Sequence, residues 1–105
     1  MPGLSQGTKL DIVAIRLKQA RLAAGLSQRE LGIMAGLDPS GASTRMNQYE
    51  RGKHVPNVAM LAQIGRVLSK PVAYFYTMDD RLAEFLAEYE KLPKSKKDKI
   101  LEIIR

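Results

Sequence analysis

Residues 27–36, Ser27-Gln28-Arg29-Glu30-Leu31-Gly32-Ile33-Met34-Ala35-Gly36, carry the reading that decides the fold. The stretch opens as Ser-x-x-Glu, in which a hydroxyl and a carboxylate each satisfy a backbone amide left free at a helix start. Leu26, just before it, is placed to staple onto Leu31. Gly36 closes the stretch at the position past a helix end where a left-handed backbone is common. Barely two turns separate these signals. A helix that short is not stable alone, so packing against its neighbours must hold it.

The flanking segments supply those neighbours. Upstream, Val13, Leu17, Ala20 and Ala24 fall at helical spacing and predict a helix from Lys9 or Leu10 to Ala24. Thr8 with Asp11 reads as its N-cap box, and Gly25 suits the position past its end. The first eight residues show no period and read as a frayed arm. Downstream, Leu37-Asp38-Pro39-Ser40-Gly41 reads as a loop, with a third helix starting near Ser40 or Ser43 and covering about Ala42 to Glu50. There Met46 and Tyr49 point inward, while Ser43, Thr44, Arg45, Asn47 and Gln48 point out. Pro56-Asn57 opens a fourth helix with the stripe Val58, Leu61, Ile64, Val67 and Leu68. Pro71 to Phe75 reads as a short fifth helix with proline in its first turn. Leu82, Phe85, Leu86 and Tyr89 mark a sixth helix, Pro93 interrupts, and Lys94 to Arg105 forms a last amphipathic one. No strand pattern or repeat occurs, so the expected fold is all-α.

Composition narrows the function. The chain has 105 residues and no cysteine, which removes disulfides, thiolate metal sites and cysteine nucleophiles together. No long apolar run or signal-like segment is present, so a soluble, cytoplasmic protein without membrane contact is expected. Seventeen Lys and Arg against eleven Asp and Glu give a net charge of +6. That balance suits a polyanionic partner, because neutralised phosphates release condensed counterions. The charge is unevenly placed. Lys9 to Lys53 is basic, Asp79 to Glu90 is acidic, and Lys94, Lys96, Lys97 and Lys99 cluster near the C-terminus.

Arg21-Leu22-Ala23-Ala24-Gly25-Leu26-Ser27-Gln28-x-Glu30-Leu31 is similar to the junction of the first two helices in Cro and phage-repressor helix-turn-helix domains. Met46-Asn47-Gln48-Tyr49-Glu50-Arg51-Gly52-Lys53, then Pro56 and Leu61-x-x-Ile64, resembles the end of that family's recognition helix and its fourth helix. The resemblance spans about two-thirds of the chain and implies a five-helix DNA-binding domain over residues 9–77. Residues 1–8 then form the arm, and residues 78–105 a C-terminal helical extension. It also implies that Gln28 clamps the DNA backbone, and that Arg21 and Glu50 form an internal salt bridge fixing the recognition helix.

The residue chemistry fits that implication. A major groove about 12 Å wide admits one helix, where Arg reads guanine, Gln or Asn reads adenine, and Thr touches a thymine methyl. Ser43, Thr44, Arg45, Asn47 and Gln48 are the candidate base readers on the third helix. Gln28 at a helix N-terminus, with Arg51, Lys53 and His54 beyond the third helix, are the candidate phosphate contacts. Double-stranded DNA is the expected partner.

One departure stands out. Thirteen residues lie between Gly36 and Glu50, an insertion of about four relative to the family pattern, placed within Asp38 to Ala42. It either lengthens the turn or adds a turn to the third helix. Ile33 and Met34 occupy positions that are usually polar, so either the longer turn folds over them or they join an interface. The tail offers Phe85, Leu86 and Tyr89 with Ile100, Leu101, Ile103 and Ile104 as two apolar faces for a helical hairpin. Such faces either pack back on their own domain or form a homodimer contact, as two half-sites about 34 Å apart would require.

Catalysis is disfavoured. There is one histidine, no glycine-rich phosphate loop and no metal-ligand spacing, and adjacent Asp79 and Asp80 diverge on a helix. No cofactor or metal is expected. Four Tyr and two Phe, with no aromatic platform, argue against RNA. The expected function is a sequence-specific transcriptional regulator, a repressor in the resembling family. The alternative is an antitoxin-type module that binds a partner protein through its tail and regulates its own operon.

Overall fold

Seven helices run in sequence through the computed structural model, which describes residues 8–105, with side chains from Ile12 onward. They are α1 (Thr8–Ala23), α2 (Gln28–Met34), α3 (Ala42–Glu50), α4 (Val58–Leu68), α5 (Val72–Tyr76), α6 (Asp80–Glu90) and α7 (Lys94–Ile104). No strand occurs among the described residues. None of these helices is long and apolar enough to cross a membrane. Thr8 already belongs to α1. The rest of the expected arm, and the Thr8–Asp11 side-chain cap, lie outside the described residues.

Each of the first five helices contributes a fully buried side chain to one core: Leu17 from α1, Leu31 from α2, Met46 from α3, Leu61 and Ile64 from α4, and Phe75 from α5. Burying a side chain of this size contributes about 1.5–3 kcal/mol. The short α2 survives by this means, since Leu31 is buried and its start is closed by a full capping box. Glu30 N–H donates to Ser27 Oγ at 2.9 Å, and Ser27 N–H donates to Glu30 Oε1 at 2.8 Å. The bond from Ser27 N–H, with a smaller contribution from the Ser27 hydroxyl, holds the exposed Glu30 carboxyl below its ordinary pKa.

Helices α2 and α3 end in the same way. Gly36 and Gly52 take φ of 100° and 73°, a region that costs a side-chain-bearing residue but not glycine. In each case the chain folds back with two bonds: Gly36 to Ile33 and Leu37 to Gly32, then Gly52 to Tyr49 and Lys53 to Gln48. The close approach of α2 and α3 is set by small residues. A Cβ at Gly32 would lie 2.9 Å from the Ala42 Cβ and 3.1 Å from its carbonyl oxygen.

Several expected positions are corrected. Ala24 lies past the end of α1 and is exposed, so the inward stripe closes at Ala20. Val58 opens α4 facing solvent at 61% exposure. Neither Ser40 nor Ser43 caps α3. Gly41 holds that position without a side-chain bond, and Ser40 is engaged with Asp38 instead. On α6 the packed face is Ala83 and Ala87, while Leu82 and Phe85 face outward. These alanines share an open cleft of about 390 Å³ with Arg16 and Ala20 of α1. The packed body therefore extends through α6. Helix α7 buries no residue at all.

Gly32→Ala should cost about 1–3 kcal/mol of stability by overpacking against Ala42. Chemical denaturation measures this; an unchanged midpoint would show that the α2–α3 spacing has slack.

Candidate nucleic-acid interface

The interface is organised from beneath by a buried ion pair. Arg21, near the end of α1, sends Nε to Glu50 Oε2 at 2.5 Å and Nη2 to Glu50 Oε1 at 3.0 Å. Its third nitrogen donates to the Leu26 carbonyl at 2.8 Å, which ties down the α1–α2 link as well. The Glu50 side chain is only 3% exposed. The hydrogen bond to Glu50 raises the Arg21 pKa above its ordinary value, against the opposing effect of burial. Two parallel N–H···O bonds of this kind define an angle as well as a distance.

Gln28, the first residue of α2, extends the network. Its amide Nε2 donates to Asn47 Oδ1 at 3.2 Å and to Glu50 Oε1 at 3.1 Å. An amide nitrogen has two hydrogens, so both are committed inside the motif. In this conformation the amide holds α2 to α3. Asn47, placed among the outward readers, is half-buried, with its carbonyl oxygen occupied by Gln28.

The outer surface of α3 is then clear. Ser43, Thr44 and Arg45 are exposed, and Gln48 is half-buried beside them. Arg51, Lys53 and His54 are exposed along the turn that follows α3. That turn is anchored because both Lys53 N–H and His54 N–H donate to the Gln48 carbonyl, at 2.9 and 3.3 Å. Arg29, overlooked in the sequence reading, is an exposed cation next to Gln28, and its place within the capping box was the available signal.

The insertion lengthens the turn, and α3 keeps nine residues. Asp38 stiffens the added segment. Its carboxylate accepts from Ser40 N–H at 3.3 Å and Ser40 Oγ–H at 3.0 Å, and its carbonyl accepts from Gly41 N–H at 3.0 Å. The turn does not cover α2, since Met34 remains 59% exposed and Ile33 half-buried.

A second buried arginine escaped the sequence reading. Arg16 donates to the carbonyls of Thr77 and Met78 at 2.9 and 3.1 Å and pairs with Asp80 at 3.0 Å. It fastens the start of α6 to α1. Its position one residue before Leu17 placed it at the edge of the apolar stripe, and no local pattern names a partner 61 residues away.

Glu50→Ala leaves the Arg21 guanidinium buried without its counter-charge, a loss of about 3–5 kcal/mol. The melting temperature should fall clearly, while the bases preferred by the remaining folded protein stay the same. Equal melting temperatures for variant and parent would contradict this.

Comparison with known proteins agrees with this geometry. A helix-turn-helix family model matches residues 17–75, from the middle of α1 to α5. No curated protein matches the sequence. Among solved structures, the crystal structure of the transcriptional regulator BswR is similar, with 43% sequence identity and a TM-score of 0.78. The alignment covers 87% of this chain and 90% of that one. The chain belongs to the helix-turn-helix family of the Cro and phage-repressor type.

Proposed function

We propose that this protein is a DNA-binding transcriptional regulator that reads the major groove with α3 and acts as a dimeric repressor. The observation carrying this reading is the outer face of α3, where Ser43, Thr44 and Arg45 stand exposed on a helix whose angle is set from below by Arg21, Glu50 and Gln28. Arg45 suits guanine O6 and N7, Gln48 an adenine edge, and Thr44 a thymine methyl. Arg51, Lys53 and His54 flank that face and are the proposed phosphate contacts, with Arg29 beside the start of α2. Asn47 contributes through its free amide nitrogen once Gln28 has oriented it. The similar BswR structure is that of a transcriptional regulator, which supports the same class here.

The dimer belongs to the same proposal. One such domain reads about half an operator, and a two-fold pair spans two half-sites. Helix α7 leaves Ile103 and Ile104 at 80% and 68% exposure, and α6 leaves Leu82 and Phe85 exposed. The radius of gyration, 14.8 Å, exceeds the roughly 13 Å of a compact chain of this length. Apolar surface of this extent on a projecting element fits a second copy.

Binding to a duplex selected from a random pool should weaken steeply with salt, and Arg45→Ala should flatten preference at one base position at a cost of about 1–3 kcal/mol. If Arg45→Ala retains the parent's preference, α3 is not the reader. Ile103→Glu combined with Ile104→Glu should halve the mass seen in sedimentation while leaving the thermal unfolding of the domain nearly unchanged. An undiminished mass would place the dimer contact elsewhere.

A further inference from the structure

The lengthened turn creates a feature that the reading by α3 alone does not use. Leu37, Asp38 and Gly41 stand opposite Thr44, Arg45 and Gln48, and the two walls bound an open cleft of about 330 Å³ with a mostly apolar lining. It lies beside the N-terminal end of α3, the end of a recognition helix that approaches base edges. Asp38 at its rim carries a negative charge that opposes a phosphate but not an uncharged base edge. Its hydrogen bonds from Ser40 hold that carboxylate in place. In the major groove the apolar group a base edge presents is the C5 methyl of thymine.

We propose that the α2–α3 turn is a second base-reading element, whose cleft between Leu37 and α3 takes the C5 methyl of one thymine in each half-site while Asp38 turns the phosphate backbone away. This rests on α3 lying in the major groove, as argued above. Leu37 forms the apolar wall, because it is half-buried against the core and so held in place. Gly41, on the same wall, keeps the cleft open beside it. A Cβ there would meet no protein atom within 4 Å, so nothing in the fold itself requires the space.

The test uses the full-length protein and the duplex it selects from a random pool. Each thymine is replaced singly by deoxyuridine, which removes only the methyl group, and affinity is read by fluorescence anisotropy at fixed salt. One thymine per half-site should show a loss of about fourfold, the effect of one buried methyl. That loss should shrink towards none in Leu37→Ala. Gly41→Ala, which keeps the core intact, should bind the thymine duplex more weakly and discriminate it less from the deoxyuridine duplex. A parent that selects a duplex yet shows no deoxyuridine effect overturns the proposal while leaving reading by α3 in place. So does an effect of the same size in both variants. If the parent selects no duplex, reading by α3 fails and takes this proposal with it. Should Leu37→Ala not fold, Gly41→Ala decides alone.

Discussion

The Arg21–Glu50 pair is the constraint on which the rest of the helix-turn-helix depends. Two charges have been removed from water, and such a pair gains little net stability over an apolar replacement. What it supplies is geometry. Its two parallel bonds join the end of α1 to the last residue of α3, and Gln28 shares the same carboxylate oxygen from the start of α2. Three helices are thereby referred to one carboxylate. A seven-residue helix such as α2 has no stable existence outside that frame and the core around Leu31.

The frame also explains how the chain tolerates a longer turn. The added residues lie between the Gly36 fold-back, which ends α2, and Gly41, which begins α3. Both helices are fixed independently of the turn, through the Gly32–Ala42 contact and the ion-pair network. Extra length inside a surface turn adds little entropic cost when both ends are already held. The extra residues therefore leave the core untouched and change only the surface beside α3.

The tail shows a different division of labour. Helix α6 is docked by small residues and by Arg16, which satisfies the carbonyls of Thr77 and Met78 that its entry leaves open. Its larger apolar residues are consequently turned outward, where Phe85 stacks on Tyr89 at 5.8 Å. Lys97 of α7 lies over the same Tyr89 ring at 5.2 Å. The acidic α6 and the basic start of α7 thus face solvent together with the apolar residues between them.

By itself the sequence determined the helices and most of their ends, because those are local properties. The Ser27–Glu30 box, the glycines after α2 and α3, and the apolar spacing through Leu17, Leu31, Met46, Leu61 and Phe75 all act within a few residues. The exposure of Ser43, Thr44 and Arg45 was legible for the same reason, as was the resemblance that pairs Arg21 with Glu50. Tertiary structure alone decided what depends on distant partners. It turned the Gln28 amide inward to Asn47 and Glu50, gave Arg16 its carbonyls across the molecule, and selected the alanine face of α6 over the larger one. It also placed the whole insertion in the turn and none of it in α3. Local sequence carries the preference of a residue for helix or turn, but which face of a helix is buried depends on the shape of the surface it meets.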